Sequence, residues 1–170
     1  MTEFLESIEK SAMSLTLPSE WYLSETIFAL EKEHIFLQDW VCVGRDEEIA
    51  KVGDHKVLSL FGESILLLRN NEHELRAFYN VCRHRGAQLC PEEEQEDSDE
   101  RIPLKGGLVG GKAIMCPYHA WTYDLNGRLI LAPHLTSDMG LNLEDIRLHP
   151  VAVESWGGFV FLHLSPEQAK

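Results

Sequence analysis

From Trp40 onward, short apolar runs are separated by turn-forming residues, the texture of β-strands rather than helices. The runs Trp40–Arg45, Lys56–Leu60, Ser64–Arg69, Leu75–Asn80, Lys112–Met115, Thr122–Asp124, Arg128–Ile130, Ile146–Glu154 and Gly158–Leu164 are each read as a strand, because aliphatic, β-branched and aromatic side chains pack well on a pleated surface. Phe61-Gly62-Glu63 and Leu125-Asn126-Gly127 offer residues that tolerate positive φ between two such runs, which predicts local hairpins. Upstream the period changes. In 24–38, Ile27, Leu30, Phe36 and Leu37 recur at helical spacing among charged residues, with Ser24 placed to cap, so one amphipathic helix is expected. The chain is thus predicted to be an antiparallel all-β domain over 39–166, preceded by an arm and helix over 1–38.

A length of 170 residues with 44% hydrophobic content suits one domain with a real core. No run approaches the ~20 apolar residues of a membrane helix. The acidic start, MTEFLESIEK, lacks the basic and apolar regions of an export signal, so a cytoplasmic protein without membrane partners is expected. The net charge of −13 repels phosphate backbones and argues against nucleic acid. Residues 91–100 form an acidic run, and Gly106, Gly107, Gly110 and Gly111 follow closely, so 91–111 is expected to be a flexible surface insertion. The stretch 106–113 nearly matches a phosphate-binding loop, but Ala113 stands where the metal-binding hydroxyl belongs and no helix is expected after it.

The four cysteines, Cys42, Cys82, Cys90 and Cys116, read as thiols or metal ligands rather than as a disulfide framework. Cys82-Arg83-His84 and Cys116-Pro117-Tyr118-His119 stand apart, because each short loop follows an apolar run and supplies one thiolate and one imidazole. In the commonest Cys₂His₂ zinc sites the cysteines form one close pair and the histidines another. A Rieske centre places both sulfurs on one iron and both imidazoles on the other, a division that two facing loops of mixed composition can satisfy. A zinc-stabilised module without redox chemistry is the competing reading. Cys42 and Cys90 are expected to be small buried hydrophobes, and His34, His55, His73, His134, His149 and His163 to be structural or solvated.

CRHRGAQLC followed by CPYHAWTYDLNG resembles the Rieske domain of ring-hydroxylating and related Rieske non-haem iron oxygenases, in the alpha subunit. The stretches WVCVGRDEEI, AFYNVCRHRGAQL and WGGFVFLHLSP extend the likeness over roughly 36–166. The resemblance implies a Rieske-type antiparallel β-sandwich with a subdomain of two cluster-binding loops. It implies one [2Fe–2S] cluster held by Cys82, His84, Cys116 and His119, supported by Arg83, Arg85, Pro117, Tyr118 and Trp121. Ala87, Tyr118 and Trp121 stand where respiratory-chain relatives carry disulfide cysteines and a hydrogen-bonding serine. Fewer bonds to the sulfurs then predict a potential at the low end of the Rieske range of about −150 to +300 mV.

The implied work is one-electron transfer, with a reductase or ferredoxin as donor and a mononuclear-iron oxygenase domain as acceptor, in a possible homo-oligomer. The exposed edge of His119 is the expected exit. The chain departs from the family in two respects. The stretch 85–115 between the ligand loops is long, although a flexible connection lengthens at small entropic cost. No Asp-x-x-His-x-x-x-x-His pattern occurs, so the 2-His-1-carboxylate iron site of the catalytic domain is expected to lie outside this chain. A stand-alone Rieske ferredoxin is the alternative; the helix and the WVCVGR entry favour the oxygenase.

Overall fold

The computed structural model describes residues 16–91, 107–133, 142–167 and 169. Helix α1, Glu25–Glu31, begins where its cap predicts: Ile27 N donates to Ser24 Oγ at 3.4 Å, and Glu25 lies in the first turn, where the positive end of the helix dipole favours a carboxylate. It continues through a wider π-helical turn, Lys32–Phe36, so the predicted 24–38 segment is helical over most of its length. Phe36 stacks on Phe61, with centroids 4.8 Å apart and planes 14° from parallel, and Leu37 at the C-cap packs against the core of the large sheet. Phe61 occupies the turn after the first hairpin strand, at φ 54°.

Among the described residues ten strands follow, all pairing antiparallel: β1 Val41–Arg45, β2 His55–Leu60, β3 Glu63–Arg69, β4 Leu75–Tyr79, β5 Gly107–Val109, β6 Ala113–Met115, β7 Thr122–Asp124, β8 Leu129–Leu131, β9 Pro150–Trp156 and β10 Phe159–His163. They form a six-stranded sheet, β1-β10-β9-β4-β3-β2, and a four-stranded sheet, β5-β6-β7-β8. Both predicted hairpins occur. Leu60 pairs with Glu63 across Phe61-Gly62, and the Asp124 carboxylate accepts from Asn126 N and Arg128 N, closing the β7–β8 turn.

Strand β3 shows how the two layers meet. Leu66 and Leu68 pack against Ile114, Tyr123, Leu125 and Leu129 of the small sheet. Ile65 and Leu67, on the other face, pack with Ala77, Val151, Val160 and Leu162. Because those partners belong to the same six-stranded sheet, that sheet curls over itself. The run of consecutive aliphatics in β3 is therefore apolar on both faces. The small sheet is seated by close backbone approach. A Cβ at Gly53 would stand 2.6 Å from the Gly111 carbonyl, and one at Gly127 2.6 Å from the Phe78 ring. Asn70 Nδ2 donates to Asn126 Oδ1 at 2.8 Å across the same junction.

Three sequence expectations need correction. Residues 107–111 are not a flexible loop: Gly107–Val109 is β5, and Gly110 and Gly111, at φ 57° and 67°, make its tight turn into β6. The acidic part of the expected insertion lies outside the described residues. The predicted strand Ile146–Glu154 begins only at Pro150, because a 3-10 turn at Leu143–Asp145 precedes it and 146–148 make isolated bonds to the β7–β8 hairpin. Cys42 is exposed rather than buried, on the outward face of edge strand β1. Among the described residues, no helix is long and apolar enough to cross a membrane.

Candidate metal centre

The two loops singled out in the sequence face each other at one end of the small sheet, built to one backbone plan. Cys82 N donates to the Ala87 carbonyl at 2.8 Å and Gly86 N to the Cys82 carbonyl at 3.0 Å. Cys116 N donates to the Trp121 carbonyl at 2.8 Å and Ala120 N to the Cys116 carbonyl at 3.1 Å. The second loop grows from a regular hairpin, with Met115 paired to Thr122 and Ile114 to Tyr123. Among the described residues, the first has only the isolated bridge Val81–Gln88 beneath it. The histidine comes two residues after the first cysteine and three after the second.

Their side chains converge. The His84 and His119 rings have centroids 4.7 Å apart, set edge to face at 69°. His84 lies flat on Trp121, at 4.7 Å and 11°, and His119 under Tyr118 at 3.8 Å. Trp121 is buried, whereas Tyr118 is 59% exposed, so the side of His119 is the open one. Cys82 and Cys116 are both buried. The Nδ1 atoms of His84 and His119 are buried with no hydrogen-bond partner. An orphaned buried polar atom costs about 1–3 kcal/mol. Two of them beside two buried thiols form a donor set that suits a metal centre, with the lone pairs of both imidazoles available. Among the described residues, no three His, Cys, Asp or Glu side chains converge closely enough to hold one ion.

Electrostatics favour the ligand forms unevenly. Partial burial, then the neighbouring His119 and Arg85, hold the His84 imidazole below its ordinary value, which favours the neutral form. Burial pushes the Cys116 thiol up, while backbone N–H groups of Tyr118 and His119 donate to it and oppose that rise. The loop amides therefore point at this sulfur. Tyr123 was missed from sequence. Its hydroxyl lies 3.3 Å from Cys82 Sγ and accepts from Arg83 N at 3.1 Å, and burial followed by the Cys82 bond raises its pKa well above the ordinary phenol value. Period-2 patterning in β7 could have found it, because Tyr123 is the inward residue next to the second loop. The expectation of sparse bonds to the sulfurs is weakened accordingly.

Of the other supporting residues, Arg83 leaves the ligand loop and bonds the exposed His149 ring. Arg85 is exposed beside His84, and Pro117 is half-buried within the second loop. Cys90 is buried and its thiol is pushed up to about 12 by burial alone, which makes it an inert packing group. His163 is buried, with Nδ1 accepting from Ser165 N at 3.1 Å. His134 lies outside the described residues. The near-phosphate motif ends in the β5–β6 hairpin rather than at a helix N-terminus.

Residues 39–153 match the family model described as the Rieske [2Fe-2S] domain. The carnitine monooxygenase oxygenase subunit of Escherichia coli (strain K12) is 36% identical over 151 residues, covering 89% of this chain and 37% of that protein. A crystal structure of a quaternary ammonium Rieske monooxygenase with L-carnitine superposes with a TM-score of 0.73 at 37% identity, over 91% of this chain and 40% of that one. Naphthalene 1,2-dioxygenase with indole superposes at 0.66 and 30% identity, over 85% and 30%. The chain spans little more than a third of the length of the curated relative.

Proposed function

Since the chain belongs to the Rieske [2Fe-2S] domain family and is the Rieske part of an oxygenase alpha subunit, we propose that it relays single electrons to an oxygenase's mononuclear iron. The family implies a [2Fe–2S] cluster. Cys82 and Cys116 would hold one iron, and His84 and His119, through their shielded Nδ1 atoms, the other. The observation that carries this reading is the pair of orphaned imidazole nitrogens beside two buried thiols.

When bound, the cluster supplies reversible one-electron exchange at a Rieske potential. The chain's own groups set its conditions. Trp121 fixes the plane of His84 by stacking, and Tyr118 does so for His119. The Tyr123 hydroxyl at Cys82 and the loop amides at Cys116 favour extra negative charge on the sulfurs. Arg85 adds a cation nearby. His119, beneath the exposed Tyr118, is the exit toward a carboxylate beside the acceptor iron; a reductase or ferredoxin fills the donor role. Cytoplasmic location and assembly with further copies belong to the same reading.

The relatives weigh toward an oxygenase acting on a quaternary ammonium compound rather than an aromatic ring: identity is 37% to the carnitine-bound structure and 30% to naphthalene dioxygenase. The deciding experiment is anaerobic purification with iron and acid-labile sulfide analysis, and EPR before and after dithionite. Two irons per chain and a reduced rhombic signal of low average g are expected. A colourless, zinc-loaded protein overturns the proposal.

A further inference from the structure

The two loops differ in what supports their bases, and the difference isolates one residue. The second loop crowns the β6–β7 hairpin. The first leaves β4 at Tyr79 and returns through Gln88, Leu89 and Cys90 without a second strand, and its backbone rung from Leu89 N to the Asn80 carbonyl is long, at 3.4 Å. Pro91 has no N–H and cannot extend the pairing. The missing rungs come from a side chain. Asn80 Nδ2 donates to the Cys90 carbonyl at 2.7 Å, Asn80 Oδ1 accepts from Cys90 N at 2.9 Å, and Nδ2 also donates to Ser64 Oγ at 3.1 Å. The amide reproduces a two-point peptide pairing. Asn80 and Cys90 are 3% and 1% exposed, so water cannot substitute for either bond. Asn80 N donates to the Ser64 carbonyl at 2.9 Å, which ties this clamp to β3, held between β4 and β2 in the large sheet.

We propose that Asn80 is a positioning residue for the metal centre: its amide clamps the return leg of the first loop to β3 and so sets where Cys82 and His84 stand relative to Cys116 and His119. The proposal rests on the cluster assignment above and adds a residue that touches no ligand. Removing the amide strands the buried Cys90 N–H and carbonyl. The segment 81–89 is then held to its surroundings by the bonds of Cys82 and Arg83 to Tyr123, of Arg83 to His149 and the long Leu89 rung, so its return leg can shift against β3 and carry the loop with it.

The test compares Asn80→Ala with Asn70→Ala in the full chain. Asn70 is also fully buried, and its amide joins Glu72 N, Glu74 N and Asn126 at the other junction, so its loss weakens the fold away from the loops. Midpoint potential, cluster release to a chelator, and amide exchange at Leu89 and Cys90 in the cluster-free chain are measured for each. Asn80→Ala should release the cluster about tenfold faster at the same loss of thermal stability, because two buried partners go unsatisfied. It should also shift the potential and open the Leu89 and Cys90 amides, while Asn70→Ala leaves all three unchanged. Equal effects of the two substitutions, or none from Asn80→Ala, overturn the proposal. If Asn80→Ala does not fold, Ser64→Ala, which removes one bond of the clamp, is read by the same criteria. A wild-type chain that takes up no iron defeats the functional reading instead, and amide exchange still decides the clamp.

Discussion

Gly86 and Ala120 occupy equivalent places in the two loops: each is four residues after a cysteine, donates its N–H to that cysteine's carbonyl and has a positive φ, 72° and 55°. The plan demands a left-handed residue there, because only that conformation turns the chain back so that the next carbonyl accepts from the cysteine's own N–H. Glycine meets the demand freely in one loop, and alanine meets it under strain in the other.

Exchange of these residues should therefore act in opposite directions. Gly86 has nothing within 4 Å of an added Cβ, so Gly86→Ala should cost only its backbone strain, about 1–2 kcal/mol. Ala120→Gly should be neutral to stabilising by about 1 kcal/mol, as relief of strain is partly offset by unfolded-state entropy. Denaturant unfolding of the cluster-free chain measures both; a destabilised Ala120→Gly would show that the methyl group packs productively.

Tyr123→Phe removes one hydroxyl from Cys82 Sγ and from Arg83 N. A bond that strengthens as the sulfur gains charge favours the reduced state, so its loss should lower the midpoint potential. If about 1 kcal/mol of that preference is lost, the shift is roughly 40 mV for one electron. Redox titration followed by visible absorption reads it directly. An unchanged potential would mean that the hydroxyl serves the loop amide alone.

Gly127→Ala tests the seat of the small sheet. The added Cβ would stand 2.6 Å and 2.9 Å from atoms of the Phe78 ring, which is itself 4% exposed, at a backbone φ of 77°. Strain and overpacking together should cost about 2–4 kcal/mol. A thermal shift of less than a few degrees would mean that Phe78 can move aside.

The remaining thiols should separate by reactivity and pH. Cys42 is exposed and should be alkylated readily at pH 8, while Cys90, with its thiol at about 12, should react only on unfolding. The sign of the stability effect follows from linkage. Between its ordinary value of 9.0 and about 12 the unfolded chain loses the Cys90 proton and the folded chain keeps it. Folding stability attributable to this thiol is thus full below pH 9 and falls as pH rises, at up to ~1.4 kcal/mol per pH unit. Cys90→Ala should lack that alkaline component when unfolding free energy is compared from pH 8 to 11.

Much of the fold was legible because it is local. Alternating and continuous apolar runs mark strands β1 to β4, β6 to β8 and β10 within a residue or two, and Gly62, Asn126 and Gly127 mark the hairpin turns. Strand β5 was hidden because Gly107–Val109 has little intrinsic strand character and is ordered by pairing with β6. The start of β9 was obscured because Ile146 and Leu148 are apolar for a different reason: they pack against the small-sheet core, so the pattern ran on past the true boundary.

The candidate donor set is legible in the sequence: two cysteines and two histidines, paired one of each on short loops that follow apolar strands, single out a mixed-ligand centre before any fold is known. Tertiary structure decided how those donors are held. The Tyr123 hydroxyl reaches from the small sheet to Cys82 on the first loop, the Asn80 amide supplies the pairing at Cys90 that no strand provides among the described residues, and His84 and His119 receive unequal aromatic cover. Each depends on residues far apart in the chain meeting in three dimensions, and no periodicity records such a meeting. Local backbone preference and ligand type are written in short segments; hydrogen-bond partnership and burial are properties of the packed whole.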